Sequence, residues 1–178
     1  MSSNRQLAAI MFTDIVGYTS LMGKDETAAY QLLKKNRKVQ RPFIEKHGGK
    51  WLKELGDGVL ASFQTISDAV YCAIEIQRSC NVEPDLKLRI GIHQGEVIVE
   101  DEDVFGDGVN IASRLEPLAP SGSIYVSESV FRNIQNKKGI KAAFVGEEIL
   151  KNVEHPIKIY EIDVQAAKTG AVDHPKPE

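Results

Sequence analysis

The tripeptide Gly-Asp-Gly at 56–58 restricts how this chain folds more than any other feature. It separates two short apolar runs, and Asp-Gly favours the tight turn of a β-hairpin, so we predict strands over Lys50–Leu55 and 59–63. A further apolar run, residues 7–15, is predicted to be a buried strand and carries Asp14 near its end. A carboxylate at the end of a buried strand is costly unless a cation compensates it. Asp14 and Asp57 therefore indicate a sheet with a cation site at its edge.

The spacing of apolar and capping residues predicts the other elements. We expect helices over 18–22, 25–46 with Asp25 as its cap, 67–80, from about 108, and 127–136. We interpret 86–99 as a hairpin that turns near 94–95, followed by a strand at 124–126 and a last hairpin formed by 143–150 and 156–164. This β-α-β-β-α-β order is the split βαβ arrangement of ferredoxin-like domains. The predicted fold class is therefore α+β, ferredoxin-like βαββαβ, with extra C-terminal strands and helices.

Length and composition exclude several classes of function. The 178 residues fit one domain, and the net charge of -3 gives no general reason to bind nucleic acid. The apolar runs are too short for a signal peptide core or a membrane segment, so we expect a cytoplasmic protein. Cys72 and Cys80 lie too far apart in one predicted helix for a disulfide, and the scattered histidines argue against a zinc site. We interpret the basic side chains of helix 25–46 as a solvated face, and 165–178 as a flexible tail or linker after a domain at 1–164.

The two aspartates are the first candidates for chemistry. Two carboxylates side by side repel each other, and a pair of divalent cations removes that repulsion. Backbone N–H groups where the helix at 18–22 begins are able to hold phosphate oxygens. Each aspartate also has a simpler interpretation, because Asp14 can merely cap that helix and Asp57 can merely serve the turn.

Four further polar residues are candidates for ligand recognition. Lys53 lies on an otherwise apolar strand and can donate to a ring nitrogen of a purine, with Asp103 accepting from an exocyclic amino group; the alternatives are a lysine at the sheet edge and a solvated loop carboxylate. Asn110 and Arg114 share one face of the helix from 108, beside the inward-facing residues, and suit a ribose and a phosphate, or form an ordinary surface pair. Asp107 is interpreted as the N-cap of that helix. The residues expected to face inward are Ile111, Leu115 and Leu118.

Taken together, these motifs resemble the catalytic domain of class III nucleotidyl cyclases. Five segments match in the family's order and span about 7–164: Phe-Thr-Asp-Ile-Val-Gly-Tyr-Thr-Ser-Leu at 12–21, Gly-Gly-Lys-Trp-Leu-Lys-Glu-Leu-Gly-Asp-Gly at 48–58, Arg-Ile-Gly-Ile-His-Gln-Gly-Glu-Val at 89–97, Asp-Val-Phe-Gly-Asp-Gly-Val-Asn-Ile-Ala-Ser-Arg-Leu at 103–115 and Leu-Lys-Asn-Val at 150–153. The resemblance implies the palm-type cyclase fold.

The resemblance also implies a role for each candidate. Asp14 and Asp57, helped by the Ile15 carbonyl, would bind two metal ions per site, Mg²⁺ or Mn²⁺. Lys53 and Asp103 would read adenine, because guanylate-specific relatives usually carry Glu and Cys or Ser there. The remaining implied roles are ribose orientation for Asn110, stabilisation of charge on the α-phosphate for Arg114, and binding of the triphosphate for the backbone near Gly17, Tyr18 and Thr19 and for Lys151.

The implied reaction is attack of the ribose 3′-oxygen of ATP on its α-phosphorus, which gives 3′,5′-cyclic AMP and pyrophosphate. In the family, the metal-binding set and the base-reading set of one site come from two chains, so the resemblance implies a head-to-tail homodimer, with regulation by a further domain or partner. The alternatives are a catalytically silent nucleotide-binding module of the same fold, and a diguanylate cyclase or polymerase palm. A diguanylate cyclase or a polymerase palm would leave Lys53 and Asp103 unexplained, and the Gly-Gly-Asp/Glu-Glu-Phe signature is absent.

Overall fold

The computed structural model describes residues 4–101 and 103–165. The elements in chain order are β1 (Asn4–Ile15), α1 (Tyr18–Lys24), α2 (Glu26–Lys46), β2 (Lys50–Leu55), β3 (Gly58–Phe63), α3 (Ile66–Asn81), β4 (Leu88–Glu100), β5 (Asp103–Phe105), α4 (Asp107–Leu115) with a 3₁₀ turn (Glu116–Leu118), β6 (Ile124–Ser127), α5 (Glu128–Ile134), β7 (Ala142–Glu148) and β8 (Ile157–Ile162). Residues 166–178 of the expected tail lie outside the described residues. None of the described helices is long and apolar enough to cross a membrane.

The eight strands of the described residues form one sheet in the order β2-β3-β1-β4-β6-β8-β7, with β5 paired to the far end of β4. β1 runs antiparallel to β3 on one side and to β4 on the other. The order β2-β3-β1-β4 is that of the split βαβ arrangement, so the predicted fold class is confirmed. β6 pairs parallel to β4, and the antiparallel pair β7–β8 confirms the last predicted hairpin.

The two faces of the sheet are covered unequally. Side chains alternate between the faces along a strand, so Ala9, Met11 and Ile15 of β1 pack into the large apolar cluster under α2, α3 and α5. Ala8 and Ile10 point the other way, into a smaller cluster whose only buried helical member among the described residues is Ala112 of α4. Asp14 lies in register with the second set and therefore faces the α4 side of the sheet. The candidate acidic site thus lies on the sparsely covered face.

One predicted hairpin is wrong. The sequence around 94–95 suggests a turn, but β4 runs without interruption through it from Leu88 to Glu100. The glycine there serves a different purpose, because a Cβ on Gly95 would lie 3.1 Å from the Cα of Gly108 in α4. The chain turns instead at Asp101, whose φ is 56°, and returns as the short strand β5.

Helix α2 is capped as predicted and held in ways that the sequence does not suggest. The Asp25 side chain accepts a hydrogen bond from the Ala28 N–H at 3.1 Å, which confirms it as the N-cap. The basic side chains stay at least partly exposed, in keeping with a solvated face, but several of them also form ion pairs. Lys35 pairs with Glu83 and Asp85, and the pairs formed by further basic residues of this helix are Lys46–Glu75 and Arg37–Glu54. These side chains tie the helix to its neighbours.

Candidate active site

Strand pairing brings Asp14 and Asp57 together. Asp14 is the penultimate residue of β1, and Asp57 lies in the β2–β3 turn beside it, because β3 pairs with β1 from Thr13 inward. The Ile15 N–H donates a hydrogen bond of 2.8 Å to Asp57 Oδ2, so the backbone next to one aspartate holds the other. The two carboxylates lie on adjacent elements of one sheet edge, as the sequence predicts.

Burial and mutual repulsion act on these acids. Burial raises the pKa of Asp57 above its ordinary value and the Asp14 charge raises it further, whereas the Ile15 N–H and the Arg89 guanidinium oppose the rise. Arg89 lies opposite Asp14 on β4, with its Nη1 3.6 Å from Asp14 Oδ1. Sequence reasoning missed Arg89 as part of the site. The cue was available, since an arginine interrupts an apolar strand opposite the aspartate.

A third acid, Glu116, was also missed. It is only 2% exposed, and burial together with the neighbouring Asp14 raises the pKa of its carboxyl well above the ordinary value. Its backbone packs against β4 so closely that a Cβ on Gly91 would lie 2.7 Å from the Glu116 nitrogen. No local pattern predicts this approach, because it depends on how α4 docks on the sheet.

The edge of the sheet that carries Asp14, Asp57 and Glu116, here called the acidic end, fits a divalent cation. Asp14 Oδ1 and Glu116 Oε2 are buried carboxyl oxygens that form no hydrogen bond with the described residues, although Arg89 Nη1 lies 3.6 Å from Asp14 Oδ1. Carboxylate oxygens are the preferred ligands of Mg²⁺, which commonly takes one or two of them and completes its shell with water and substrate phosphates. The described residues contain no group of three or more His, Cys, Asp or Glu side chains arranged to hold a metal ion. Asp14 and Asp57 are two carboxylates of the kind that such a cation takes.

The predicted phosphate-binding segment starts α1. Gly17 has a φ of 81° and is the N-cap of this helix, with no side-chain cap hydrogen bond from the described residues. The Tyr18 and Thr19 N–H groups therefore belong to the uncapped first turn, where an anion can be bound. Lys151 lies apart in sequence, exposed in the connection between β7 and β8.

Lys53 and Asp103 meet directly. Lys53 Nζ lies 2.9 Å from Asp103 Oδ1, although both side chains are partly exposed. The hydrogen bond from Lys53, helped by one from the Val104 N–H, lowers the pKa of Asp103. A cavity of about 430 Å³, within the volume range of small-ligand sites, is lined by Asp103 and by residues of β1 to β5. Because the two side chains form an ion pair, they are not simply a lysine at the sheet edge and a solvated loop carboxylate.

Helix α4 carries the other two candidates. Asn110 and Arg114 are half-buried one turn apart, and Arg114 Nε is buried without a hydrogen-bond partner among the described residues. The expectation for Asp107 is wrong, since Gly106 is the N-cap and Asp107 is the first helical residue. Leu118 was expected to face inward, but it is 41% exposed, because the helix gives way to a 3₁₀ turn before it.

Comparison with known proteins places the chain among nucleotide cyclases. Residues 2–163 match the family model described as the adenylate and guanylate cyclase catalytic domain. A putative adenylate cyclase 3 from Rhizobium meliloti is 36% identical over 167 residues, covering 89% of this chain; the chain spans 28% of that relative's length.

Two solved structures are similar over most of their length. One is an adenylate/guanylate cyclase/hydrolase from Silicibacter pomeroyi, with a TM-score of 0.84 and 35% identity, covering 90% of this chain and 98% of the other. The second is the adenylyl cyclase CyaB from P. aeruginosa, with a TM-score of 0.84 and 25% identity, covering 92% and 96%.

Proposed function

The chain belongs to the adenylate and guanylate cyclase catalytic domain family, and from this premise we propose that it is an adenylate cyclase that converts ATP to 3′,5′-cyclic AMP and pyrophosphate. The observation that carries the choice of ATP is the Lys53–Asp103 ion pair of 2.9 Å, which offers a donor and an acceptor side by side to a purine edge. Adenine presents a ring-nitrogen acceptor next to an exocyclic amino donor, and the pair complements that pattern. Guanine reverses the pattern, so both contacts would be lost.

Asp14 and Asp57, with the Ile15 carbonyl, would hold two Mg²⁺ or Mn²⁺ ions. When bound, such ions lower the pKa of the attacking 3′-hydroxyl and neutralise charge on the phosphates. Around them, the backbone of Gly17 to Thr19 and the Lys151 ammonium would bind the β- and γ-phosphates. Positioning and neutralisation of charge supply most of the rate in phosphoryl transfer.

Helix α4 would complete the reaction geometry. The Asn110 amide would hold the ribose, so that its 3′-oxygen stands in line with the leaving pyrophosphate. The Arg114 guanidinium would stabilise the charge that develops on the α-phosphate. Its Nε has no hydrogen-bond partner among the described residues and can serve as a donor. Both residues project from one helical face, which fixes their relative positions.

We propose that each site is shared by two chains in a head-to-tail homodimer. The sparsely covered face of the sheet supports this arrangement, since it leaves the apolar side chain of Leu55 exposed two residues from Asp57. A two-fold dimer would bury this face and create two equivalent sites. A regulatory domain or partner is part of the proposal, because the Rhizobium relative is much longer than this chain.

The direct test incubates the protein with ATP or GTP and with Mg²⁺ or Mn²⁺, and measures the cyclic product. We expect cyclic AMP from ATP and much less cyclic GMP from GTP. Absence of any cyclic product under all four conditions would contradict the proposal and favour the silent nucleotide-binding module.

Shared sites have a separate test. Asp14→Ala and Arg114→Ala variants are each expected to be inactive, and a mixture of the two should regain activity, because a heterodimer contains one site with neither substitution. Failure of a verified heterodimer to regain activity would contradict shared sites while leaving the reaction itself in place.

A further inference from the structure

The proposed base-reading pair, Lys53 and Asp103, joins two strands that each have a single pairing partner among the described strands. Lys53 lies on β2, which pairs only with β3 among the described strands and forms one edge of the sheet. Asp103 lies on β5, which has three residues and pairs only with the end of β4 within the described part of the chain. Edge strands with one partner are the more easily displaced parts of a sheet. Some other contact has to fix the position of Lys53.

A β-bulge determines where Lys53 points. Trp51 pairs with Ala61 and Lys53 pairs with Leu60, so Leu52 is the extra residue between them. Leu60 belongs to the small cluster on the α4 side, and paired residues share a face, so Lys53 also faces that side. In a regular strand Trp51 and Glu54, three residues apart, would face opposite sides. The bulge places both on the α2 side instead.

Helix α2 contacts one residue on each side of the bulge, Trp51 before it and Glu54 after it. Arg37 forms a two-point ion pair with Glu54, with Nε 2.8 Å from Oε2 and Nη2 3.1 Å from Oε1. Arg41, one helical turn later, stacks its guanidinium 4.1 Å from the centroid of the Trp51 ring. A planar guanidinium suits both contacts, whereas an ammonium reproduces neither geometry.

The helix that makes these contacts is itself fixed to the central strand. Gln40 lies between Arg37 and Arg41, is fully buried, and donates a hydrogen bond of 3.0 Å to the Thr13 hydroxyl. It also donates one of 2.7 Å to Asn36 Oδ1. Thr13 immediately precedes Asp14. The position of α2 is therefore tied to the strand that carries the acidic site.

We propose that Arg37, Arg41, Trp51 and Glu54 form a clamp, here called the β2 clamp, that holds the bulge and positions Lys53 for base selection. The four are positioning residues, since they act through Lys53 from the opposite face of the strand. The inference deepens the proposed function and rests on it. It assigns part of the choice between ATP and GTP to residues that never touch the nucleotide.

The test compares Arg37→Lys and Glu54→Ala with Lys35→Gln as the matched control. Lys35 belongs to the same helix and also forms ion pairs, but its partners are Glu83 and Asp85 rather than residues of β2. The readout is the ratio of kcat/KM for ATP to that for GTP, with the thermal unfolding midpoint measured in parallel. We expect this ratio to fall about tenfold in Glu54→Ala and about threefold in Arg37→Lys, because small misplacement of a recognition group is enough to weaken selection.

A purely structural role would lower the unfolding midpoint without changing the ratio, so the two measurements separate the roles. Lys35→Gln should leave the ratio within about twofold of the parent value, because exposed ion pairs contribute little on their own. The charge-reversed double variant Arg37→Glu with Glu54→Arg should recover part of the lost ratio, since it rebuilds the ion pair. An unchanged ratio in both single variants that still cyclise ATP overturns the clamp and leaves the proposed function intact.

A second readout keeps the clamp testable if the parent protein makes no cyclic product, which would overturn the proposed function. ATP and GTP then compete for the site against a fluorescent ATP analogue, and the ratio of their affinities replaces the kinetic ratio. The same losses in Glu54→Ala and Arg37→Lys support the clamp. Absence of any ATP preference in the parent protein by both readouts overturns the clamp and the base-reading assignment together.

Discussion

The acidic end of the molecule and its base-reading end are built in different ways. Asp14 and Asp57 are placed by main-chain pairing of β1 and β3, and a backbone N–H of β1 bonds directly to Asp57. Lys53 and Asp103 lie on an edge strand and on a three-residue strand, and a side-chain contact joins them. The position of the acids therefore follows from the fold itself, whereas the position of the base readers depends on side chains that substitution can remove. We expect the reaction to be hard to alter and base choice to be easy to alter.

The largest effect is expected at the acidic end. Asp57→Asn keeps an oxygen that accepts the Ile15 N–H but removes the charge, so the variant should fold normally. We expect its cyclase activity to fall about 10³-fold, the loss typical of removing one electrostatic stabiliser. The measurement is cyclic AMP formation, with Mn²⁺ binding by calorimetry as a second readout.

Asp107→Asn is the matched control for Asp57→Asn, because both aspartates lie in Gly-Asp-Gly tripeptides. Asp107 is exposed at the start of α4, where a charge contributes about 0.3–1 kcal/mol through the helix dipole. Equal losses of activity in the two variants would show that the acidic end is no more critical than any exposed aspartate.

Acid should lower the free energy of unfolding more through the buried His93 than through the exposed Lys53–Asp103 pair. Burial lowers the pKa of His93 on β4 from 6.5 to about 4, and its Nδ1 contacts Ser127 Oγ at 2.6 Å. The unfolded chain thus binds a proton near pH 6.5, whereas the folded chain binds it only near pH 4. The free energy of unfolding therefore falls as the pH falls from 6.5 to about 4. We expect the loss to be about 3 kcal/mol, since one pKa unit corresponds to about 1.4 kcal/mol.

The measurement for His93 is urea unfolding at several pH values between 7 and 4 for the parent protein and His93→Asn. The variant should lose less stability over this range, because it lacks the proton-binding group. Parallel stability curves for the two proteins would contradict the assignment.

The contact between α4 and the sheet gives a smaller expected effect. Gly91→Ala would place a Cβ 2.7 Å from the Glu116 nitrogen and 3.0 Å from the Ala112 carbonyl oxygen, both backbone atoms that cannot rotate away. We expect a loss of about 2 kcal/mol in the free energy of unfolding, as for other overpacked sites. Gly23→Ala is the control, since its Cβ would meet no described heavy atom within 4 Å and alanine favours the helix, so it should be at least as stable as the parent. A Gly91→Ala variant as stable as the parent would contradict close docking of α4.

The smallest expected effect is at the base-reading end. Lys53→Ala and Asp103→Ala should each lower the ATP-to-GTP ratio of kcat/KM about tenfold, because each removes one hydrogen bond to the base. The free energy of unfolding should change by less than about 1 kcal/mol, because partly exposed ion pairs stabilise little. A large fall in the free energy of unfolding with an unchanged ATP-to-GTP ratio would mean that these two residues serve stability and not base choice.

The sequence predicts those parts of the molecule that depend on local pattern. The Gly-Asp-Gly turn, the Asp25 cap and the pairing of the last hairpin follow from turn chemistry, capping and alternation. The juxtaposition of Asp14 with the 56–58 turn follows as well, since the split βαβ order leaves β3 beside β1. The roles of these residues in catalysis stay predictions.

The features that escaped prediction depend on contacts between distant segments. Gly95 suggested a turn, yet its lack of a side chain serves the close approach of α4. Glu116 reaches the acidic site only because Gly91 allows its backbone to lie against β4. The extra residue in β2 was missed because a bulge becomes visible only when the partner strand is known. Local periodicity carries no information on such approaches.

The sparsely covered face of the sheet has a consequence for how output depends on the amount of protein. With the proposed sites completed across two chains, the number of working sites at low concentration grows with the square of the chain concentration. Doubling the abundance of the chain in that range would quadruple the rate of product formation, and simple dilution would switch it off. A domain or partner that holds two copies together would then raise output without touching a single residue of the active site.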